Sequence, residues 1–372
     1  MHLLLWSEDS GDDLRDELAQ VFPDVVPEAV PPLFFKAAFS ASDTRLPFIA
    51  HARQWLPDAR PVHAASIRAL AMELCQTIAG VLPDDQPWAL HIEPRYHARG
   101  AHHIGARAWH SATRRGPAPD PRNAGPSSEA GRQRSRLVRQ TVVELLQRKR
   151  RHLLRQLRAE PAPFTPTDSL VQLILTGPED AFLSVAHAPV PFEQRHLLSP
   201  YPGGEILLMS DKTAPSRAFA KLAEAGLRMG RQIQVGETCV DLGAAPGSWT
   251  WLARRQGAHV IAVDRSPLRD DLLRDPQVDF QSGDAFRFAP QRRVDWLLCD
   301  VIAASGRTAA LLLEWLRRGW CRQFVVTLKT GDDPANDTLS LLRRELPQLT
   351  RELFLTRLCA NKKEICAFGV AA

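Results

Sequence analysis

Four polar residues stand beside apolar elements in a way that could support chemistry. They are Lys221 in SRAFAKLAEA, Asp300 in LLCDV, Lys329 in VVTLKT and Glu364 in NKKEICAF. A lysine directly after a buried strand is poorly solvated, and a second ammonium nearby disfavours its charged form further. Both effects lower a lysine pKa, and a lowered pKa lets a lysine act as a general base near neutrality. Carboxylates at Asp300 and Glu364 oppose that shift while fixing the geometry. Singly, each has a plainer reading: Lys221 as a helix surface residue, Asp300 as a cap. Jointly they predict a proton-transfer site, if the fold gathers them.

The elements that must do the gathering centre on Thr238–Asp264, TCVDLGAAPGSWTWLARRQGAHVIAVD. An apolar strand, Cys239–Leu242, carries Asp241. A tight turn runs from Gly243 to Gly247, a helix from about Ser248 to Gln256, and a second strand, His259–Val263, ends at Asp264. Strand, glycine turn, helix, strand and acid form the first half of a nucleotide-binding α/β fold. Small residues let the backbone approach a ligand closely, and an acid at the second strand's end suits a ribose diol. The turn reads GAAPG rather than GxGxxG, which favours S-adenosyl-L-methionine (SAM), a ligand with no pyrophosphate to cradle. Helices and strands alternate from about Ser216 onward: a helix at Ser216–Met229, Phe280 in a short strand before Gly283-Asp284, Trp296–Cys299 ending at Asp300, a helix at Ala309–Arg317, Phe324–Leu328 ending at Lys329, a helix at Thr338–Glu345, then strands at Glu352–Arg357 and Glu364–Phe368. Ligands of open α/β sheets lie at the carboxyl ends of the strands. Gly243, Asp264, Asp284, Asp300 and Lys329 all fall at such ends, so one crevice could hold them.

The chain of 372 residues, 44% hydrophobic and 24% charged, has the composition of a soluble globular protein with two or three domains. Its net charge of +5 is unevenly spread. Pro94 to Pro119 contains Arg95, Arg99, Arg107, Arg114 and Arg115 and no acid; Arg132 to Arg158 sets ten basic residues against Glu144. Such local charge implies a polyanionic partner. The six cysteines form no CxxC or His/Cys cluster, so no metal is expected, and several read as buried small hydrophobes. The start, MHLLLWSEDSGDD, lacks a signal-peptide pattern, and no run approaches the roughly 20 apolar residues of a membrane span. The cytoplasm is therefore the expected location, with no membrane partner.

Three domains are expected: 1–57, 58–190 and 191–372. The first has strands at His2–Trp6 and Leu33–Phe39, a helix from Ser10 to about Val21, a proline-rich connection at Pro23–Pro32, and LPFIAHARQW at Leu46–Trp55. The second has a helix at about Ala64–Val81, a strand at Trp88–Pro94, a Pro-rich loop insertion at 111–134, a basic helix at about Ser135–Glu160, and paired strands at Ser169–Leu175 and Ala181–Ala186. Leu137, Val138, Val142, Leu145, Leu146, Leu153 and Leu157 recur at helical spacing, predicting one buried face with arginines outward. Arg139, Arg148, Lys149, Arg151 and Arg155 are the candidate RNA-binding residues. Pro189–Gly204 reads as the linker to the third domain.

Lys–Asp–Lys–Glu in this order around VDLGAAPGSW resembles the FtsJ-like RNA ribose 2′-O-methyltransferases. SPYPGG, APSRAFAKLAEA, LLCD, RGWCR, TLK and KKE are similar, more specifically, to the bacterial family that methylates a cytidine 2′-hydroxyl of large-subunit (23S) ribosomal RNA, and LPFIAHARQW resembles that family's N-terminal signature. The resemblance covers residues 199–372 most strongly. It implies a Rossmann-like SAM-dependent methyltransferase domain preceded by ferredoxin-like and RNA-binding THUMP-like domains. It also implies SAM contacts from Ser216, Ala245, Pro246, Gly247, Ser248, Asp264, Asp284 and Asp300, beside Asp241 and Gly243 of the turn. Lys329 matches the proton acceptor, and Lys221, Asp300 and Glu364 complete a catalytic tetrad. Ala245 and Ser248 stand where that family usually has Cys and Gly. The implied partner is ribosomal RNA or a large-subunit precursor, with the oligomeric state left open. A transfer RNA or other RNA substrate, or a non-catalytic RNA-binding ribosome-assembly factor, are the alternatives.

Overall fold

The computed structural model describes residues 1–6, 11–23, 26, 28–30, 34–37, 48–96, 129–159, 164–206, 208, 211–330, 335–361 and 364–372. The chain divides into two compact units, one of Met1–Leu46 with Ala52–Glu205, the other of Pro47–His51 with Ile206–Ala372.

The first unit holds two four-stranded sheets. One comprises β1 (His2–Leu5), β2 (Glu28–Val30), β3 (Phe34–Ala37) and β4 (Gln54–Leu56), with α1 (Gly11–Val21) between β1 and β2. Its order is β2-β3-β1-β4 with every neighbouring pair antiparallel. β2 lies within the stretch expected to be a proline-rich connection. It is three residues long and at the sheet's edge, where flanking prolines cost no ladder bond and too few residues alternate to give a strand signal.

The second sheet, in the order β5-β8-β7-β6, comprises β5 (Arg60–His63), β6 (Trp88–Pro94), β7 (Ser169–Leu175) and β8 (Asp180–Ala186). Its helices are α2 (Ile67–Val81), α3 (Glu129–Lys149) and the short α4 (Arg151–Gln156). Ser66 caps α2 by accepting from the amide of Ala69. Leu70, Leu74 and Ile78 of α2 share a core with Val138, Val142 and Leu146 of α3 and with Trp88 and Val171 of the sheet. The expected buried stripe is thus present, except that Leu137 is exposed. Two boundaries also differ from expectation. α3 begins at Glu129, inside the segment read as a loop, because Glu129 and Arg132 pair one helical turn apart where no apolar residue signals a helix. It stops at Lys149, and Arg150 adopts a non-helical backbone before α4. Residues 111–128 of the Pro-rich stretch lie outside the described residues.

Three arginines from the basic stretches are engaged inside the unit, one of them Arg158, which donates twice to the buried Asp168. Arg95 is buried, donating to Glu205 at 3.0 Å and to the carbonyl of Gly203. It therefore adds no positive surface, and Arg99, Arg107, Arg114 and Arg115 lie outside the described residues. Arg139 donates to the carbonyl of Leu90 at 2.8 Å, whereas Arg148, Lys149, Arg151 and Arg155 are exposed. Leu3, Leu5 and Leu56 of the first sheet cluster with Ile174 of the second, so residues 57 and 58, where a boundary was expected, lie within this compact unit. The short α5 (Phe192–Arg195) precedes the second unit.

The second unit is a seven-stranded sheet in the order β11-β10-β9-β12-β13-β15-β14. Its strands are β9 (Thr238–Leu242), β10 (His259–Asp264), β11 (Val278–Ser282), β12 (Val294–Cys299), β13 (Cys321–Lys329), β14 (Thr350–Thr356) and β15 (Glu364–Ala371). Pairing is parallel from β11 to β13, and β15 runs antiparallel to both its neighbours. The helices are α6 (Phe219–Met229), α7 (Ser248–Arg255), α8 (Asp270–Leu273), α9 (Ser305–Arg317) and α10 (Ala335–Leu349). Leu222 and Ala225 of α6 and Trp249 and Ala253 of α7 pack with Cys239, Val260 and Leu298 of the sheet. The central strands read as unbroken apolar runs because both faces are covered. Strand order reverses between β9 and β12, the switch point at which a crevice opens above the carboxyl ends.

Candidate active site

The switch point explains the position of the glycine turn. Gly243 leaves β9 with φ +75°, and a Cβ there would lie 2.9 Å from the Cα of Val301. Only glycine lets the β9 turn pass the β12 loop this closely. Gly247, at φ +107°, caps α7 and packs where a Cβ would strike Leu272. Asp264 ends β10, with one carboxylate oxygen accepting from the amide of Ala245 at 3.0 Å and the other from Ser266 at 2.8 Å. Asp284 follows β11, accepting from the amide of Phe286 at 3.0 Å and from Arg265 at 2.8 Å. Its backbone bond to Phe286, with Arg265 and Arg307 beside it, holds that carboxyl below the usual range against an opposing desolvation.

Two cavities that share lining residues open above these strand ends. The larger, of about 370 Å³, is lined by Gly243, Ala245, Asp264, Asp284 and Asp300, together with Arg265, Phe286, Ile302 and Arg307. The smaller, of about 160 Å³, is lined by Ser216, Asp241, Pro246, Ser248 and Lys329, with Gly243, Ala245 and Asp300 shared. Of the residues expected to meet a cofactor, only Gly247 lines neither; its role is to shape the turn. Asp241 is buried and accepts from Thr250 at 2.7 Å. Burial raises its carboxyl to about 7, with Asp300 and Asp264 adding to the effect and Thr250 opposing it.

Beside the smaller cavity the four sequence-predicted polar residues meet. β13 and β15 pair with Lys329 directly opposite Glu364, so antiparallel register alone faces one charge with the other. Asp300 follows β12, the parallel neighbour of β13, and α6 supplies Lys221. The Lys329 ammonium lies 2.8 Å from Asp300 and 2.6 Å from Glu364. Lys221 lies 3.1 Å from each Asp300 oxygen and 2.5 Å from Glu364. The result is a closed ring of alternating charge, with Thr327 also donating to Asp300. All four side chains are between 10% and 21% exposed, enough for a substrate atom to reach them.

This geometry corrects the expected charge state of Lys329. Burial does push its pKa down, but Asp300 and Glu364 outweigh burial and raise the pKa above the ordinary lysine value. Burial likewise pushes Asp300 up, and Lys221 and Lys329 overcome it, holding the carboxyl low. At neutral pH the ring therefore keeps Lys329 as a cation and Asp300 as an anion.

Glu224 is a further residue of the site, with no motif in the sequence to mark it. It lies one turn after Lys221 on α6, fully buried, and accepts from Arg228 at 2.7 Å. It also accepts from the amides of Cys359 and Ala360. Glu224 thereby ties the helix that carries Lys221 to the turn that leads into Glu364. Its i,i+3 spacing from Lys221 and i,i+4 spacing to Arg228 were the available signals. A third cavity, of about 630 Å³, also borders the ring, lined by Lys221 and Glu364 with Arg217, Phe219 and Asn361. Among the described residues no group of three or more His, Cys, Asp or Glu could hold a metal, and no helix is long and apolar enough to cross a membrane.

Residues 214–315, which span the turn and Asp300, match the FtsJ-like methyltransferase family. Curated relatives extend the match. The ribosomal RNA large subunit methyltransferase M of Halorhodospira halophila is 37% identical over 59% of this chain and 60% of its own length. The proteins of the same name from Azoarcus sp. and Laribacter hongkongensis are 37% and 44% identical, over 46% and 35% of this chain and 50% and 39% of theirs. This chain thus aligns with between two fifths and three fifths of each of these relatives. An FtsJ-like domain implies SAM as its cofactor, and the residues present fit it. Asp264 suits a ribose diol, the small residues Gly243 and Ala245 line the space where a ligand would approach the backbone, and Asp284 and Asp300 border that space as carboxylates.

Proposed function

We propose that this protein is a SAM-dependent RNA ribose 2′-O-methyltransferase whose substrate is a cytidine 2′-hydroxyl of large-subunit ribosomal RNA. The observation that carries this reading is the closed Lys221–Asp300–Lys329–Glu364 ring, bordered by both the smaller cavity and the third cavity of an FtsJ-like domain. Asp264 would hold the cofactor's ribose, Asp284 would lie near its adenine, and Ser216, Asp241 and Ser248 would line its amino-acid end. When bound, the cofactor supplies a methyl group activated by a sulfonium. Lys221, Asp300 and Glu364 would orient the 2′-hydroxyl for in-line attack. The neutral amine of Lys329 would accept the hydroxyl proton as its oxygen takes up the methyl group, the cofactor being left as a neutral thioether. The raised pKa of Lys329 means that its proton must first go to solvent, a step that neighbouring positive charge favours.

That same raised pKa supports a second reading, in which Lys329 stays a cation and steadies the attacking oxygen electrostatically. Methylation of a pyrimidine C5 by a cysteine nucleophile is disfavoured: burial raises the thiols of Cys299 and Cys321 to about 12. We assign the first sheet, whose order β2-β3-β1-β4 is that of a split βαβ arrangement, to a ferredoxin-like module. The second sheet with its exposed Arg148, Lys149, Arg151 and Arg155 is assigned to a THUMP-like RNA-binding module. The test is to incubate the protein with labelled SAM and ribosomal RNA from cells lacking the gene, then map alkali-resistant linkages. One new 2′-O-methylcytidine in the large-subunit RNA is the expected product. Label in a base, or in no RNA at all, overturns the proposal.

A further inference from the structure

A second groove adjoins the cofactor cavity, and no part of the methyl-transfer reading uses it. It has a volume of about 380 Å³ and lies between Phe286–Ala289 and α9. Phe286 and Arg307 line both spaces, so the groove adjoins the cavity. Its walls are aromatic: Phe288 stacks on Trp315 with planes 18° apart, and Trp320 meets Trp315 edge-on. Trp315 is buried, whereas Phe286, Phe288 and Trp320 are only half-buried, leaving aromatic surface at the groove.

Guanidinium groups frame these rings. Arg307 lies 3.7 Å above the Phe286 ring and Arg318 lies 5.2 Å from the Trp320 ring. Arg287 is exposed on the wall, and Glu314, which also lines the groove, pairs with Arg318. Arg307 also lies 3.8 Å from Asp284, so three arginines face two carboxylates and leave the surround positive by one charge, with Arg287 on the exposed wall. Flat apolar faces with guanidiniums beside them recognise an unpaired nucleobase together with its phosphates: the base stacks and the arginines take the backbone charge. An apolar peptide segment would use the rings but not the charge.

We infer that this groove binds an unpaired nucleobase of the RNA substrate, stacked against Phe288 and Trp320, with Arg287 and Arg318 on the adjoining phosphates. The inference rests on the proposal that the substrate is RNA. It adds a second anchoring point, separate from the nucleotide that would be methylated at the Lys–Asp–Lys–Glu ring.

Ala310 offers a clean test, because it is an exposed position on α9 whose Cβ side lines the groove. Ala310→Gln adds uncharged bulk at a helix position that tolerates glutamine. Phe288→Leu keeps apolar fill and removes the flat face. Binding of a single-stranded RNA oligonucleotide to the full chain would be followed by fluorescence anisotropy, with SAM affinity measured by calorimetry in parallel. Each variant should lose about 5- to 100-fold in RNA affinity, the range for one stacked base, with SAM affinity and melting temperature near wild type. Wild-type RNA affinity in Ala310→Gln overturns the inference, even if Phe288→Leu is weakened through misfolding. If the wild-type chain methylates RNA and both variants bind it normally, the groove assignment alone fails. If the wild-type chain binds no RNA, the functional proposal fails with it.

Discussion

The charge state of Lys329 makes a quantitative prediction. Asp300 and Glu364, at 2.8 and 2.6 Å, raise its pKa above the ordinary value. With its pKa raised above the ordinary lysine value, Lys329 is almost wholly charged at neutral pH. A positive charge brought close to the amine would lower that pKa and raise the neutral fraction. If Lys329 is the base, the single-turnover rate with saturating cofactor should therefore climb close to tenfold per pH unit from about 6.5 to about 8. Lys329→Ala should lose about 10²–10⁴-fold in methyl transfer while RNA and cofactor affinities stay near wild type. Lys329→Arg should be nearly as slow, since arginine retains its proton throughout this range. The assay is quenched-flow transfer of labelled methyl to RNA across that pH range. A flat profile in the wild type, together with near-normal rates in Lys329→Arg, would refute the base role and leave Lys329 an electrostatic anchor.

Asp264→Ala should weaken SAM binding in calorimetry without changing the melting temperature appreciably; unchanged affinity would remove Asp264 from the ribose site. Charge reversal at Arg148, Arg151 and Arg155 should weaken RNA binding and reduce the slope of log affinity against log salt by up to about 2. If both quantities stay at wild-type values, this basic surface is only solvated. Asp241 has a folded-state carboxyl near 7 against an ordinary 3.8, so the folded chain holds a proton that the unfolded chain has released. Its contribution to stability is complete below the unfolded value and is lost as pH rises through about 7, by up to about 4 kcal/mol. Asp241→Asn should thus melt progressively higher than wild type as pH rises from 4 to 8, by thermal denaturation, while binding SAM less well. A wild-type melting curve at every pH would mean that Asp241 is not buried as a protonated acid.

Local pattern determined much of this protein. The strand, glycine turn and second strand at Thr238–Asp264 were legible because apolar runs bounded by small residues and an acid depend on neighbouring residues only. The positions of Asp300 and Lys329 after buried strands followed from the same alternation, and open α/β topology then predicted a shared crevice. The basic helix showed its buried stripe through Val138, Val142 and Leu146. Its start at Glu129 was hidden, because that first turn is held by charge pairing rather than by apolar periodicity.

What only the tertiary structure decided are the quantities set by distance between residues far apart in the chain. The net pKa of Lys329 depends on whether two carboxylates or burial dominates, and sequence supplies both influences without their separations. Arg95 and Arg139 read as outward-facing charge, yet one pairs with Glu205 and the other donates to Leu90, contacts made across more than forty residues. Glu224 looked like an ordinary helix acid until the chain returned at Cys359 to place two backbone amides on it. The aromatic groove likewise needs Phe288, Trp315 and Trp320 to converge from a loop, a helix end and a strand start. Residue type and spacing specify what a side chain can do; only the packed fold fixes which charges and rings stand close enough to change it.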